Sequence, residues 1–168
     1  MTVVDHAVVD PAEMRRVLGH FATGVTIVAG FDDGSPVGFA CQSFTSVSLD
    51  PPLVLFCPAH TSTTWPRIQA SGSFSVNVLA DDQIELCKTF ATSGSDKFAG
   101  LDWHPTSWGP SIDGVLATVH CDIEQVHAAG DHDVVIGRVR ELVTHRNSAP
   151  LLFFKGQFGL ELFAGEGQ

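Results

Sequence analysis

The chain has no tyrosine, so any aromatic stacking must come from its 12 phenylalanines and three tryptophans. It is also poor in charge: 17% of the 168 residues are charged, and nine basic residues stand against 19 acidic ones. A net charge of −10 repels a phosphate backbone, and Arg15-Arg16 is the only adjacent basic pair, which argues against nucleic-acid binding. Long apolar runs are missing. Leu53 to Phe56 and Leu151 to Phe154 fall far short of the roughly 20 residues a membrane helix needs, so no membrane association is expected. Met1 to Asp10 lacks the positive head and apolar stretch of a secretory signal, which points to the cytoplasm. Cys41, Cys57, Cys87 and Cys121 are widely spaced and form no C-x-x-C pair, as reduced buried thiols do. Neither disulfides nor a structural metal is expected.

What is present is apolar and β-rich. At 44% hydrophobic, the chain reads as a single domain over residues 1–168, with a core from about 12 to 160. Asp10-Pro11-Ala12-Glu13 combines an N-cap, a first-turn proline and an acidic residue. With Met14, Val17, Leu18 and Phe21 at helical spacing, it predicts a short amphipathic helix opening the domain. Gly24 to Ala29 and Pro36 to Ala40 read as hairpin arms around Asp32-Asp33-Gly34. Leu53 to Cys57 reads as a buried strand, and Phe74 to Val78 alternates with period two. Between them the hydroxyl-rich Thr61 to Thr64 and Pro66 start a short helix. Asp81-Asp82 is expected to cap a helix carrying Ile84, Cys87 and Phe90, with Ser93-Gly94-Ser95 breaking it. Lys97 to Pro110 reads as a loop. Ala117 to Val126 and Val134 to Val143 read as strands around a turn at Ala128 to Asp131, with Leu151 to Phe154 closing the sheet. Strands interrupted by three short helices, without βαβ repeats, predict a mainly β protein built as an antiparallel barrel.

Two hydroxyl clusters stand out. In Gly38 to Phe56, Gln42, Ser43, Thr45, Ser46 and Ser48 offer donors and acceptors beside a hydrophobic strand. They suit an oxygen-rich ligand, or equally a solvated strand. Ser62, Thr63 and Thr64 suit a phosphate at a helix start, or an ordinary N-cap. His127, Asp131, His132 and Asp133 have ligand-like spacing but no supporting metal pattern.

The succession FATGVTIV (Phe21 to Val28), PVGFACQSFTSVSLDPPLVLF (Pro36 to Phe56), FSVNVL (Phe74 to Leu79), DKFAG (Asp96 to Gly100), GDHDVVIGRV (Gly130 to Val139) and PLLFFKGQF (Pro150 to Phe158) resembles the small flavin reductases of two-component monooxygenases. The resemblance covers roughly residues 12 to 160. It implies a split β-barrel of the FMN-binding type with Greek-key connections, forming a homodimer that takes FMN or FAD. Such reductases use NADH or NADPH to reduce the flavin, which diffuses to a separate oxygenase component. The PVGFACQSF wording looks closest to members serving hydroxylases of phenol-type or steroid-ring substrates.

The resemblance also implies roles. Cys41, Gln42, Ser43, Phe44, Thr45, Ser46 and Ser48 would edge the isoalloxazine ring, with Cys57, Ala91 and Phe98 among the further flavin contacts. Ser62, Thr63, Thr64 and Lys97 would meet the phosphate and ribityl chain. His132 would position the nicotinamide, and Phe158 would cover the ring system or pack in the core. Hydride transfer from nicotinamide to flavin needs no protein nucleophile. Cys41 replaces the small residue or threonine of many relatives, which leaves FMN against FAD open. No G-x-G-x-x-G occurs, so the dinucleotide is expected to bind weakly in an open groove. No arginine pair sits beside Gly130 to His132 to meet a 2′-phosphate, although Arg138 and Arg140 could reach, and NADH is the expected donor over NADPH. A flavoprotein that retains its flavin, or a non-catalytic flavin-binding module, are the alternatives.

Overall fold

A computed structural model describes residues 8–94 and 96–159 of the chain. Small and β-branched residues set the sheet. In β2 (Thr26–Asp32) Val28 faces one core while Ile27 and Ala29 face a second, so this central strand is buried on both sides. It pairs with β3 (Ser35–Cys41) across a hairpin turn and with β6 (Ser73–Val78). Beyond β6 lie β9 (Ala117–Ala129) and β10 (His132–Thr144), then β5 (Pro52–Phe56) and β4 (Thr45–Leu49). The seven-stranded order is therefore β3-β2-β6-β9-β10-β5-β4, antiparallel throughout. β5 and β6 are consecutive in the chain but separated in the sheet by the β9–β10 hairpin, the crossing expected of a Greek key.

The sheet curls into a barrel. β3 and β5 lie near opposite ends of the strand order, yet the Phe39 and Phe56 rings are 6.2 Å apart. Phe56 fills the interior with Phe74 at 5.0 Å and Trp65 at 5.4 Å, both edge-on. Trp65 and Ile68 come from α2 (Trp65–Ser71), which plugs this core. Bulges at Ile136/Gly137 and Val139/Glu141 disturb the β9–β10 register.

The second core lies outside β2 and β6. It is covered by α3 (Ile84–Ala91) through Cys87 and Phe90, and by Phe98, Ile112, Val115 and Leu151. The expected Lys97 to Pro110 loop contains a small hairpin, β7 (Trp103–Pro105) and β8 (Pro110–Ile112). Buried side chains on the outer face of β6 hold it. Asn77 Oδ1 accepts from Ile112 N at 2.9 Å, and Ser75 Oγ donates to Pro110 O at 2.6 Å. That tie is non-local and leaves no alternation within three-residue strands.

Two further expectations are corrected, and the expected opening helix forms. The α3 cap is Gln83, not the Asp81-Asp82 pair; Gln83 Oε1 accepts from Ala80 N at 2.9 Å, while Asp82 pairs with Arg146. Leu152–Phe154 (β11) does not close the main sheet but pairs with β1 (Thr23–Gly24) and β12 (Gln157–Phe158) in a separate three-stranded sheet. The opening helix, α1 (Pro11–Leu18), forms with Asp10 Oδ1 accepting from Ala12 N at 3.0 Å, yet it buries no residue. Met14, Val17, Leu18 and Phe21 are all exposed.

Candidate functional site

The ends of three elements converge on one groove of about 720 Å³. β3 delivers Phe39 to Cys41, the segment after β5 delivers Cys57 to Ala59, and the C-terminal end of α3 delivers Phe90 and Ala91. Chain ends of a sheet carry backbone that the ladder does not consume, which makes such places apt for ligands.

Lys97 sits at the edge of the groove and ties two walls together. Its Nζ donates to Phe90 O at 3.0 Å, at the end of α3, and to Gly38 O at 3.2 Å on β3. A cation on carbonyls at a helix C-terminus is the favourable sign for the helix dipole. Partial burial lowers its pKa from the ordinary lysine value. Two of its three donors are used on the protein, and the third is left for a ligand. Arg67 also lines the groove, and its Nε donates to Asp32 at 2.6 Å.

His132 enters from the start of β10. The Pro58 to His60 segment is laced to the hairpin end: Asp133 N donates to Pro58 O at 3.0 Å, and His60 N to Asp131 O at 2.9 Å. His132 Nδ1 lies 2.7 Å from Asp131 Oδ1. That hydrogen bond holds the Asp131 carboxyl below its ordinary pKa. An ionised carboxylate only accepts, so Nδ1 donates in this bond and the ring, which lines the groove, is oriented by it. Behind it, Asp133 accepts from Trp65 Nε1 at 3.1 Å and lies 2.9 Å from His60 Nε2. His60 and then Trp65 lower its pKa, and the contact couples α2 to β10.

Of the residues singled out from sequence, Cys41, Gln42, Ser43, Cys57, Ser62, Thr63, Thr64, Ala91, Lys97 and His132 line this groove. Ser43 has its hydroxyl committed to the fold: it accepts from Cys57 N at 2.8 Å and clamps the end of β3 to the end of β5. Ser62 Oγ likewise accepts from Trp65 N, the first residue of α2, at 3.1 Å; the N-cap, Thr64, makes no side-chain cap hydrogen bond, which leaves Thr63 and Thr64 as the hydroxyls at this corner. Burial pushes the Cys41 thiol above its ordinary pKa, which keeps it a neutral wall rather than a nucleophile.

Six expected residues lie elsewhere. Phe44 packs against the barrel core, and Thr45, Ser46 and Ser48 run away from the groove on β4, the edge strand of the sheet. Phe98 is buried under Phe90 and Trp103, with ring centroids 5.0 and 5.7 Å away. Phe158 packs on Phe153 at 4.9 Å in the small sheet. His127, Asp131, His132 and Asp133 do not converge: among the described residues no three His, Cys, Asp or Glu side chains form a metal-holding group. Sequence reading missed Arg67, whose partner is 35 residues away, and the Asp133–Trp65 bond, which spans 68.

The site thus offers hydroxyls and backbone to a polar planar ligand, two cations to phosphate, and one oriented imidazole. Its chemistry is positioning rather than covalent attack.

Residues 18–160 match the model of the flavin reductase like domain. The chain is 53% identical, over 91% of its length and 80% of the relative's, to the reductase subunit HsaB of a flavin-dependent monooxygenase from Rhodococcus jostii. It is similar in structure to nitrilotriacetate monooxygenase component B from Mycobacterium thermoresistibile, with a TM-score of 0.85 at 50% identity over 88% of this chain and 84% of that one. The NADH:FAD oxidoreductase SgcE6 of Streptomyces globisporus, solved with NAD and FAD fragments, superposes with a TM-score of 0.85 at 35% identity over 96% of this chain and 99% of that one.

Proposed function

Because the chain belongs to the flavin reductase like domain family, we propose that it is an NADH:flavin oxidoreductase that supplies reduced flavin to a partner monooxygenase. The observation that carries this reading is the groove at the strand ends, where Lys97, Arg67 and an Asp131-oriented His132 face hydroxyls and backbone. Its donor set fits a flavin. When bound, the flavin supplies a two-electron acceptor for the hydride of NADH.

Cys41 to Ser43 would edge the isoalloxazine, Gln42 offering its amide. Lys97, Arg67, Thr63 and Thr64 would hold the phosphate through charge-assisted and neutral hydrogen bonds. His132 would hydrogen-bond the nicotinamide carboxamide and fix its approach. Thr45, Ser46, Ser48, Phe44, Phe98 and Phe158 would act through the fold rather than by contact within one chain. NADH is preferred over NADPH because Arg138 and Arg140 are spent on Glu124 and Asp122 across the hairpin.

The whole chain would act as one domain, as a homodimer in the cytoplasm. The β4 edge, unpaired among the described residues, and the exposed Met14, Leu18, Phe21, Val47 and Leu49 support a subunit interface. The oxygenase served would hydroxylate an aromatic or steroid-derived compound, a class supported by the wording of PVGFACQSF.

The test follows NADH oxidation by purified protein with FMN, FAD or no flavin, and NADPH in parallel. Turnover should saturate with added flavin, and His132→Ala should raise the KM for NADH without changing flavin affinity. Flavin binding without turnover would refute the reductase reading.

A further inference from the structure

Two thiols meet in the groove, and hydride transfer uses neither. Cys41 ends β3, Cys57 follows β5, and both line the groove wall. One hydroxyl joins them: Ser43 Oγ accepts from Cys57 N at 2.8 Å, donates to Cys57 O at 3.4 Å and lies 3.2 Å from Cys41 Sγ. Its single proton is committed to Cys57 O, so the Cys41 thiol is the donor in the third contact. All four cysteines are reduced, but Cys87 and Cys121 are fully buried in the outer and barrel cores.

The pair divides into an attacking and a resolving partner. Cys57 is half-buried and opens onto the groove, whereas Cys41 is only 6% exposed. A small oxidant that enters the empty groove therefore meets Cys57 first. Burial is the largest effect on Cys41 and raises its pKa, while the Ser43 hydroxyl and the backbone N–H groups of Ser43 and Cys57 work against it. Cys41 is thus inert toward solvent, yet its sulfur sits among donors that favour the thiolate when a neighbour is there to be attacked.

Resting on the reading that the protein releases reduced flavin, we propose that Cys41 and Cys57 are a peroxide-sensing pair that forms a disulfide and closes the groove when reduced flavin goes unconsumed. Dioxygen that meets released reduced flavin takes two electrons and two protons from it and becomes hydrogen peroxide. The Cys57 thiolate attacks one peroxide oxygen, the O–O bond breaks, and hydroxide leaves and takes up a proton to become water. The Cys41 sulfur then attacks the sulfenic sulfur of Cys57. The S–S bond forms, the S–O bond breaks, and the Cys41 proton leaves with the hydroxyl as a second water. The cross-link takes Cys41 Sγ off Ser43 Oγ and shifts Gln42 and Ser43, which line the groove beside it. Bound flavin covers Cys57, so the switch acts on the empty protein.

The experiment treats flavin-free protein with hydrogen peroxide and reads intact mass, linked peptides and FMN affinity by fluorescence quenching, for the wild type, Cys57→Ser and Cys41→Ser. Wild type should lose about 2 Da, yield a linked Cys41–Cys57 peptide pair and bind FMN about tenfold more weakly, all reversed by dithiothreitol. Saturating FMN should protect it. Cys57→Ser should keep its mass, and its FMN affinity should stay within about twofold of its own untreated value. Cys41→Ser should form no internal link and should instead be captured by dimedone at Cys57. A wild type that keeps its mass, or that links Cys57 to Cys57 of a second copy, would overturn the pair. A linked pair with unchanged FMN affinity would overturn the closure of the groove. A wild type that binds no FMN before treatment would overturn the flavin reading on which the switch rests, while the mass and the linked peptides would still report on the two thiols.

Discussion

Replacing Gly137 by alanine tests the barrel that carries the groove. Gly137 lies on β10 opposite Val54 and Ile123, and a Cβ there would overlap Phe74 Cζ and approach Cys121 Cβ to 3.1 Å. Phe74 is fully buried and held edge-on by Phe56 at 5.0 Å, so its ring cannot retreat without moving the aromatic cluster. Overpacking a tight core costs about 1–3 kcal/mol, and blocked retreat places this site near ~3 kcal/mol. At roughly 2–4 °C per kcal/mol for a chain of this size, thermal unfolding followed by circular dichroism should show a Tm lower by about 6–12 °C. Gly24→Ala is the control: nothing lies within 4 Å of its added Cβ, and its Tm should stay within about 2 °C of wild type. Phe74→Leu in the Gly137→Ala background should recover part of the loss, since the two sites share one contact. A Gly137→Ala Tm within about 2 °C of wild type would refute the packing argument.

Lys97→Met should weaken FMN binding by about tenfold and flatten its salt dependence, read by titration at two ionic strengths, because a phosphate contact is removed. Asp133 has a folded pKa below its ordinary 3.8, so its stabilisation is complete above that value and is lost as pH falls through the folded one. Asp133→Asn should therefore lower stability at neutral pH and make acid unfolding less steep below about pH 4, measured by denaturant melts across that range. Cys57 is the one cysteine that is not buried, and it lines the groove, whereas burial pushes Cys121 up to about 12 and also raises Cys41 and Cys87. A thiol reagent at neutral pH should modify Cys57 first, and bound flavin should slow that reaction.

Strand alternation, hairpin turns and helix starts are written within a few residues, and they were legible for that reason. Phe74 to Val78 announces its two faces, and Asp10-Pro11 announces α1. Elements that owe their existence to distant partners were not legible. The β7–β8 hairpin is held by Asn77 and Ser75, more than 30 residues away. The amphipathic pattern of α1 was real, but periodicity alone does not say whether an apolar face finds a neighbour.

The site divides in the same way. The order of motifs, and with it the family, the flavin chemistry and the small set of hydroxyl, lysine and histidine candidates, was determined by the sequence, because each motif is a contiguous string. Only the tertiary structure decided which of those side chains meet. A strand edge carries Thr45, Ser46 and Ser48 away from the groove, while Ser43 is turned back onto Cys57. Lys97 reaches Gly38 across 59 residues, and Arg67 joins it from α2. Such meetings depend on how the sheet curls and where its strands end, a property of long-range pairing that no local pattern contains.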